Sequence, residues 1–374
     1  MSEIRLPSAM KFLSVKKSAL FMVAGLIAFV IYLYFFIGIP KVLEVLSGIN
    51  STQYAFYYSL ALIAVLGSVF FWAAAWNSIL RTLTIRISYR RAYLYYWVGY
   101  FSDLVIPCAT ICGELTRFYL VQKETKKSMG LLAASAITNR IVAYTIVTVG
   151  LYVGAILIFI KPGTPSVITN VFVVFLVGVS IYMAVLVYLA FVEHAARNFA
   201  KLYGKILKTL RPKHYSLESE TQREKSLTSY YEGFKKFREN PRLLIKPFIL
   251  HSISYLLGLS VYILIFYALG IPSTPEFYVV VFFIATAVQD AAASFSVGSL
   301  EVILASIFLL YGLNPAKSFI TALLVRSAGF WFPLFVGFLA VQYLGTRNLI
   351  SESPQPKDEA IAKELDPLNV IVAK

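Results

Sequence analysis

Apolar runs of about 20 residues recur along this chain, each long enough to cross the roughly 30 Å of a bilayer's hydrocarbon as a helix. In lipid, every backbone N–H and C=O must be satisfied within the protein, which favours helices over open strands. The chain has 374 residues, 59% hydrophobic and 14% charged, and is therefore expected to be all-α and polytopic. The full spans expected are Ser18 to Ile39, Tyr54 to Leu80, Met129 to Ile160, Ser166 to Val192, Pro247 to Gly270 and Lys317 to Leu344. The first is longer than a signal-peptide core and has no small-residue cleavage site after it, so it is expected to stay in the chain.

Two further apolar stretches do not fit a simple count of crossings. Ala92 to Gly113 contains Asp103 and Pro107, and basic residues flank it on both sides: Arg81, Arg86, Arg90 and Arg91 before, Arg117, Lys123, Lys126 and Lys127 after. Basic loops mark the cytoplasmic side. A re-entrant hairpin keeps both clusters there, and non-helical backbone is tolerable at depth where it lines a cavity. Phe277 to Gly312, holding Asp290, Gly298 and Glu301, reads as a second hairpin. With Lys41, Lys161 and Lys317 outside and Arg140 and Arg326 in the membrane, the remaining 29 of 34 Lys and Arg are cytoplasmic, as are both termini. The protein is thus placed in the cell membrane as a multi-pass chain.

The ionisable residues within apolar sequence repeat. Asp103, Glu114 and Arg140 are followed by Asp290, Glu301 and Arg326 at offsets of 187, 187 and 186 residues. Because the second span runs inward and its counterpart, the fifth, runs outward, the copies are antiparallel. The organisation expected is one integral membrane domain, 1–374, with a first repeat over 18–160, a second over 166–345 and a polar tail over 346–374. Inverted repeats of this kind place a transporter's site where they meet. The alternative is two unrelated polar hairpins.

The second copy carries a basic insertion, 193–246, with 13 Lys and Arg against 6 Glu. Phe199, Leu202, Ile206 and Leu210 recur at helical spacing beside Lys201, Lys205 and Lys208, and Leu227, Tyr231, Phe234 and Phe237 beside Lys235 and Lys236. Such helices either lie in the membrane interface or pack on the spans. The net charge of +15 sits in loops and is explained by orientation and anionic headgroups, so no nucleic-acid partner is expected. Cys108 and Cys112 are read as small packing residues, and no metal or cofactor set is expected.

A charged side chain at membrane depth costs at least about 2.5 kcal/mol, so such groups face a cavity or a partner. The candidate substrate-binding residues are Asp103, Gly113, Glu114, Arg117, Arg140, Asp290, Gly298, Glu301 and Arg326. Backbone N–H groups beside Arg117, and the fork-shaped donors of arginine, suit phosphate. The alternative is that Glu114 with Arg140, and Glu301 with Arg326, are structural ion pairs.

The run Pro107 to Arg117, Asn139-Arg140, Gly298-Ser-Leu-Glu301, Leu310-Tyr-Gly312, Arg326, Pro333 and Gly337 resembles the transmembrane flippase-like region of lysylphosphatidylglycerol synthases and its stand-alone relatives, over roughly residues 18 to 345. Family members usually carry Glu-Arg followed by Asp three residues after the Glu; this chain has Asn139-Arg140 and Ala143. Ser294-Phe295 stands where Pro-Gly is common. About 30 polar residues follow Leu344, so the synthases' soluble transferase activity is not implied. The resemblance implies a lipid partner, and the repeat with its buried charges implies translocation. The function expected is a flippase for an anionic or polyprenyl-phosphate-linked lipid, not an enzyme, and a homo-oligomer is compatible with it. A membrane accessory subunit or scaffold, and a membrane-embedded transferase, are the other classes. His194, His214 and His251 are scattered, with no Asp-x-Asp cluster to serve as base or metal site.

Overall fold

A computed structural model describes residues 47–105, 111–160, 166–192, 217–291 and 296–351. The first expected span and the amphipathic segment around Lys201, Lys205 and Lys208 lie outside these residues. Among the described residues the chain is helical, without strands. In order come α1 (Ser51–Thr82), α2 (Tyr89–Val105), α3 (Ile111–Thr125), α4 (Met129–Ile160), α5 (Ser166–Phe191) and α6 (Leu217–Glu239). Then follow α7 (Ile245–Ala268), α8 (Pro275–Ala291), α9 (Ser296–Leu310), α10 (Pro315–Arg326), a π-helical turn over Ser327–Trp331, and α11 (Phe332–Ser351). Four stretches among the described residues are long and apolar enough to cross a membrane: Ser51–Thr82, Met129–Ile160, Pro241–Ala268 and Pro315–Gly345.

Local chemistry sets several helix ends. Asn50 caps α1 by accepting from the Thr52 and Gln53 N–H groups, and Asn314 caps α10 at Lys317 N with Pro315 in the first turn, where its missing N–H costs nothing. Four described residues have the left-handed backbone that ends a helix: Thr84, Lys126, Gly270 and Gly312. They fall into two pairs at one spacing, since 270 − 84 and 312 − 126 are both 186. Helix starts follow the same interval: α2 begins at Tyr89 and α8 at Pro275, while α4 begins at Met129 and α10 at Pro315.

Helices α1 and α7 cross antiparallel at the centre. Ser68 Oγ lies 3.1 Å from Ser254 Oγ, which also donates to the Ser68 carbonyl at 2.8 Å, and nearer the end Gln53 Nε2 donates to Tyr267 O at 2.8 Å. The antiparallel pair α2–α3 packs on α1 through α2, and the pair α8–α9 on α7 through α8. Arg91 near the start of α2 pairs with Glu124 at the end of α3, which also accepts from Tyr95 Oη at 2.7 Å. The second pair closes likewise, with Phe277 at the start of α8 against Phe308 and Tyr311 at the end of α9, ring centroids 5.8 and 4.8 Å apart. Over the described residues α2 and α3 are 17 and 15 residues long. The first hairpin is longer than the sequence suggests. Its return limb runs to Thr125, so Arg117 and Lys123 lie on the helix rather than beyond it.

Buried and exposed faces divide as a membrane protein requires. In α8, Phe277, Val280, Val281 and Ile284 are fully buried, forming the main core with Phe266 and Phe308. On α4 and α5, in contrast, Phe159, Ile160, Val174 and Ile181 are 60–73% exposed, an apolar belt without a water-facing role. Helix α6 packs on α4: Phe234 and Phe237 are buried in a cluster with Leu83 and Ala134, and a Cβ on Gly130 would lie 1.9 Å from Ser226 O. Of the two readings of the basic insertion, this helix takes the packed one.

Candidate functional site

A cavity of about 290 Å³ sits between the α1–α7 crossing and the two helix pairs. Its volume lies near the lower end of ligand-site volumes. Five of the predicted residues reach its wall: Asp103, Glu114, Arg117, Arg140 and Arg326. The remainder is largely aromatic or hydroxylated, including Trp72, Tyr96, Tyr100, Tyr144, Tyr255 and Tyr262.

Each arginine is held through its Nε. On α4, Arg140 donates from Nε to Glu114 Oε1 at 2.6 Å and from Nη1 to Tyr182 Oη of α5 at 3.1 Å. On α10, Arg326 donates from Nε to Glu301 Oε1 at 3.1 Å and lies 4.5 Å from the centre of the Phe330 ring. Both expected ion pairs therefore form, at matching places in the two halves. They differ in access: the side chains of Arg140 and Glu114 are 23% and 18% exposed, those of Arg326 and Glu301 only 2% and 5%. Arg117 donates from Nε to Gly113 O at 3.2 Å, with its guanidinium 4.4 Å from the Tyr96 ring centre and 5.6 Å from that of Trp76. Aromatic faces offer a buried cation a favourable quadrupole, so the charge is tolerated among apolar helices.

Gly113 is the hinge of the first hairpin. Its N–H donates to Asp103 Oδ1 at 2.6 Å, joining the start of α3 to the end of α2, and a Cβ there would lie 2.3 Å from Gly99 O. Only glycine permits so close an approach. The Asp290 side chain, the surroundings of Gly298 and residues 292–295 lie outside the described residues. Cys112 is disulfide-bonded, which corrects its reading as a packing residue; Cys108 lies outside the described residues.

The second half has a feature that the first lacks. After Arg326 the helix widens to a π-turn, with Phe332 N–H donating to Ser327 O. Pro333 has no N–H to give to Gly329, whose carbonyl is 3.5 Å from Tyr100 Oη, and both residues line the cavity. Such turns recur at functional sites.

Sequence reasoning passed over two residues beside the arginines. His251 is fully buried, with Nε2 2.8 Å from Asn139 Oδ1 and its ring edge-on to Trp72 at 4.7 Å. The signal was a lone His on an apolar helix, ordinarily a core residue, and its partner is 112 positions away. Val65, Ser68, Val69 and Trp72 make a stripe of helical period on α1, but an unremarkable packing face has the same pattern.

The model of the lysylphosphatidylglycerol synthase TM region matches residues 22–337. A UPF0104 membrane protein from Pyrococcus horikoshii is 24% identical over 341 residues, covering 86% of this chain and 99% of that protein. No solved structure matches the chain. With the match running through both helix pairs, both ion pairs and the cavity between them, this membrane protein belongs to the lysylphosphatidylglycerol synthase TM region family.

Proposed function

We propose that the protein moves an anionic or polyprenyl-phosphate-linked lipid between leaflets, as a transporter and not as an enzyme. The observation that carries this reading is the pair of Glu–Arg contacts, Glu114 with Arg140 and Glu301 with Arg326, related by intervals of 187 and 186 residues, with both arginines on the wall of a single cavity. Buried charge in an otherwise apolar helical body costs stability and is ordinarily retained for a pathway. The matched left-handed residues and helix starts support two copies of one unit, which the charge distribution makes antiparallel. The exposed apolar belt on α4 and α5 supports lipid around that unit. Proteoliposomes carrying fluorophore-labelled phosphatidylglycerol, or a labelled polyprenyl phosphate, test the activity directly. Added dithionite reads label in the outer leaflet, and the expected result is faster exchange than in protein-free vesicles. Exchange no faster than in protein-free vesicles, for either lipid, sinks the transport reading and favours an accessory or scaffold role.

In the membrane, α2–α3 and α8–α9 are the re-entrant hairpins, entering from opposite faces, and both termini are cytoplasmic. The Arg91–Glu124 contact supports this for the first hairpin, because it brings the entry and exit of the limb together. Cysteines placed at Arg86 and Lys126 are therefore expected to react with an impermeant reagent from the cytoplasmic side, and one at Lys161 from outside. Labelling of positions 86 and 126 from opposite faces would make the segment a crossing.

A further inference from the structure

The transport reading uses the paired carboxylates and leaves Asp103 without a role. Near the end of α2 this side chain is buried, 9% exposed, and it reaches the cavity wall. Glu114 and Glu301 are each held by an arginine Nε, but Asp103 makes no ion pair among the described residues. Its hydrogen bond there is from Gly113 N–H to Oδ1 at 2.6 Å, and Oδ2 has none among the described residues. A buried carboxylate without a cation is costly while ionised, and it can shed that charge by taking up a proton. A proton on Oδ2 leaves the bond from Gly113 intact, so α2 and α3 stay joined in both states. The same proton on either glutamate would break an ion pair.

The charged groups around Asp103 come from α3 and α4. Arg117 and Glu114 face it from α3 and Arg140 from α4, with Tyr96 on its own helix. Arg326, also on the cavity wall, is already paired with Glu301. Helices α1 and α11 pack on α2 as well, yet neither 51–80 nor 332–346 contains an Asp, Glu, Lys, Arg or His. A phosphate drawn to Arg117 and Arg140 therefore settles beside two carboxylates. Glu114 is neutralised by Arg140, whereas an ionised Asp103 repels the phosphate at short range. This local repulsion arises whatever group the phosphate carries.

We propose that Asp103 is a proton-binding site that couples lipid movement to a proton gradient. A proton from the water on one side adds to Oδ2 as the phosphate enters, and proton and phosphate both leave to the other side. One proton then travels with one phosphodiester charge, so the movement of phosphatidylglycerol carries no net charge. The proposal rests on the lipid-transport reading and adds the source of its driving force.

Full-length protein in vesicles with labelled phosphatidylglycerol is given a pH gradient, while potassium and valinomycin hold the membrane potential at zero. Relative to protein-free vesicles, wild type is expected to drive the label toward the leaflet facing the more alkaline side. One proton per lipid sets the limit at about tenfold in leaflet ratio per pH unit, whichever way the protein is oriented. Asp103→Asn keeps an oxygen for the Gly113 N–H and cannot ionise, so it is expected to exchange the label without responding to the gradient. Exchange by wild type that ignores the gradient overturns the proposal and leaves the transport reading standing. A full response in Asp103→Asn overturns it too. Where that variant does not fold or does not exchange, calorimetry of wild type with dihexanoyl phosphatidylglycerol in two buffers of different ionisation enthalpy decides. Uptake of about one proton per lipid is expected at the most responsive pH, and no uptake at any pH overturns the proposal. No exchange of labelled phosphatidylglycerol under any gradient overturns the proposal, and the same failure with labelled polyprenyl phosphate overturns the transport reading as well.

Discussion

Arg326→Ala is expected to lower the stability of the detergent-solubilised protein by about 3–5 kcal/mol, because it strands a carboxylate that has almost no access to water. The Glu301 and Arg326 side chains are 5% and 2% exposed, so neither water nor salt can replace the lost partner. Adding Glu301→Ala removes the stranded charge and is expected to restore most of the melting temperature. Transport is expected to stay low in the double variant, since the cavity has lost a cationic donor. Arg326→Lys separates charge from shape: it keeps the cation but loses the fork, and so is expected to fold and transport less. The counterpart pair is more accessible, at 23% and 18% exposed, and Arg140→Ala is expected to cost less stability than Arg326→Ala. A double-mutant cycle read by melting temperature and lipid exchange in parallel decides the matter. Recovery of transport along with stability in the Glu301→Ala, Arg326→Ala protein would make the pair a structural element only.

The parts of this architecture that were legible in sequence are those written in local chemistry. The start at Met129 is read alike from sequence and structure because the stretch is apolar apart from a few residues such as Asn139 and Arg140 and follows the polar run Lys126-Lys127-Ser128. The ion pairs were legible because ionisable residues are rare in such sequence and recur at intervals of 186 to 187 residues. The length of the first hairpin was not. Arg117 and Lys123 look like the start of a loop, and nothing local shows that Tyr96 and Trp76, at least 20 positions earlier, provide a surface for the guanidinium. His251 was obscure for the same reason, since its meaning depends on Asn139 across 112 residues. The π-turn had a partial signal in Gly329 and Pro333, but proline within an apolar helix more often announces a simple kink. Long-range partners decide these cases, and periodicity carries no information about them.

Gly113→Ala is the second variant with a large expected effect. The added methyl would lie 2.1 Å from Asp103 Oδ2 and 2.3 Å from Gly99 O, and only the first belongs to a side chain that can rotate away. The Gly99 carbonyl is part of α2, so relief requires α2 and α3 to separate. Separation breaks the 2.6 Å bond from Gly113 N–H to Asp103 and displaces Gly113 O, to which Arg117 Nε donates at 3.2 Å. One methyl therefore adds the loss of a buried hydrogen bond to overpacking, about 1–3 kcal/mol for the steric part alone. It also moves two residues of the cavity wall. The expected outcome is a lower melting temperature and lipid exchange near the protein-free rate. Gly178→Ala is the matched control, because a Cβ there meets nothing within 4 Å, and a more favourable helix residue should leave both measurements at or slightly above wild type. If Gly113→Ala melts and transports like Gly178→Ala, the close approach of α2 and α3 is not what positions Arg117.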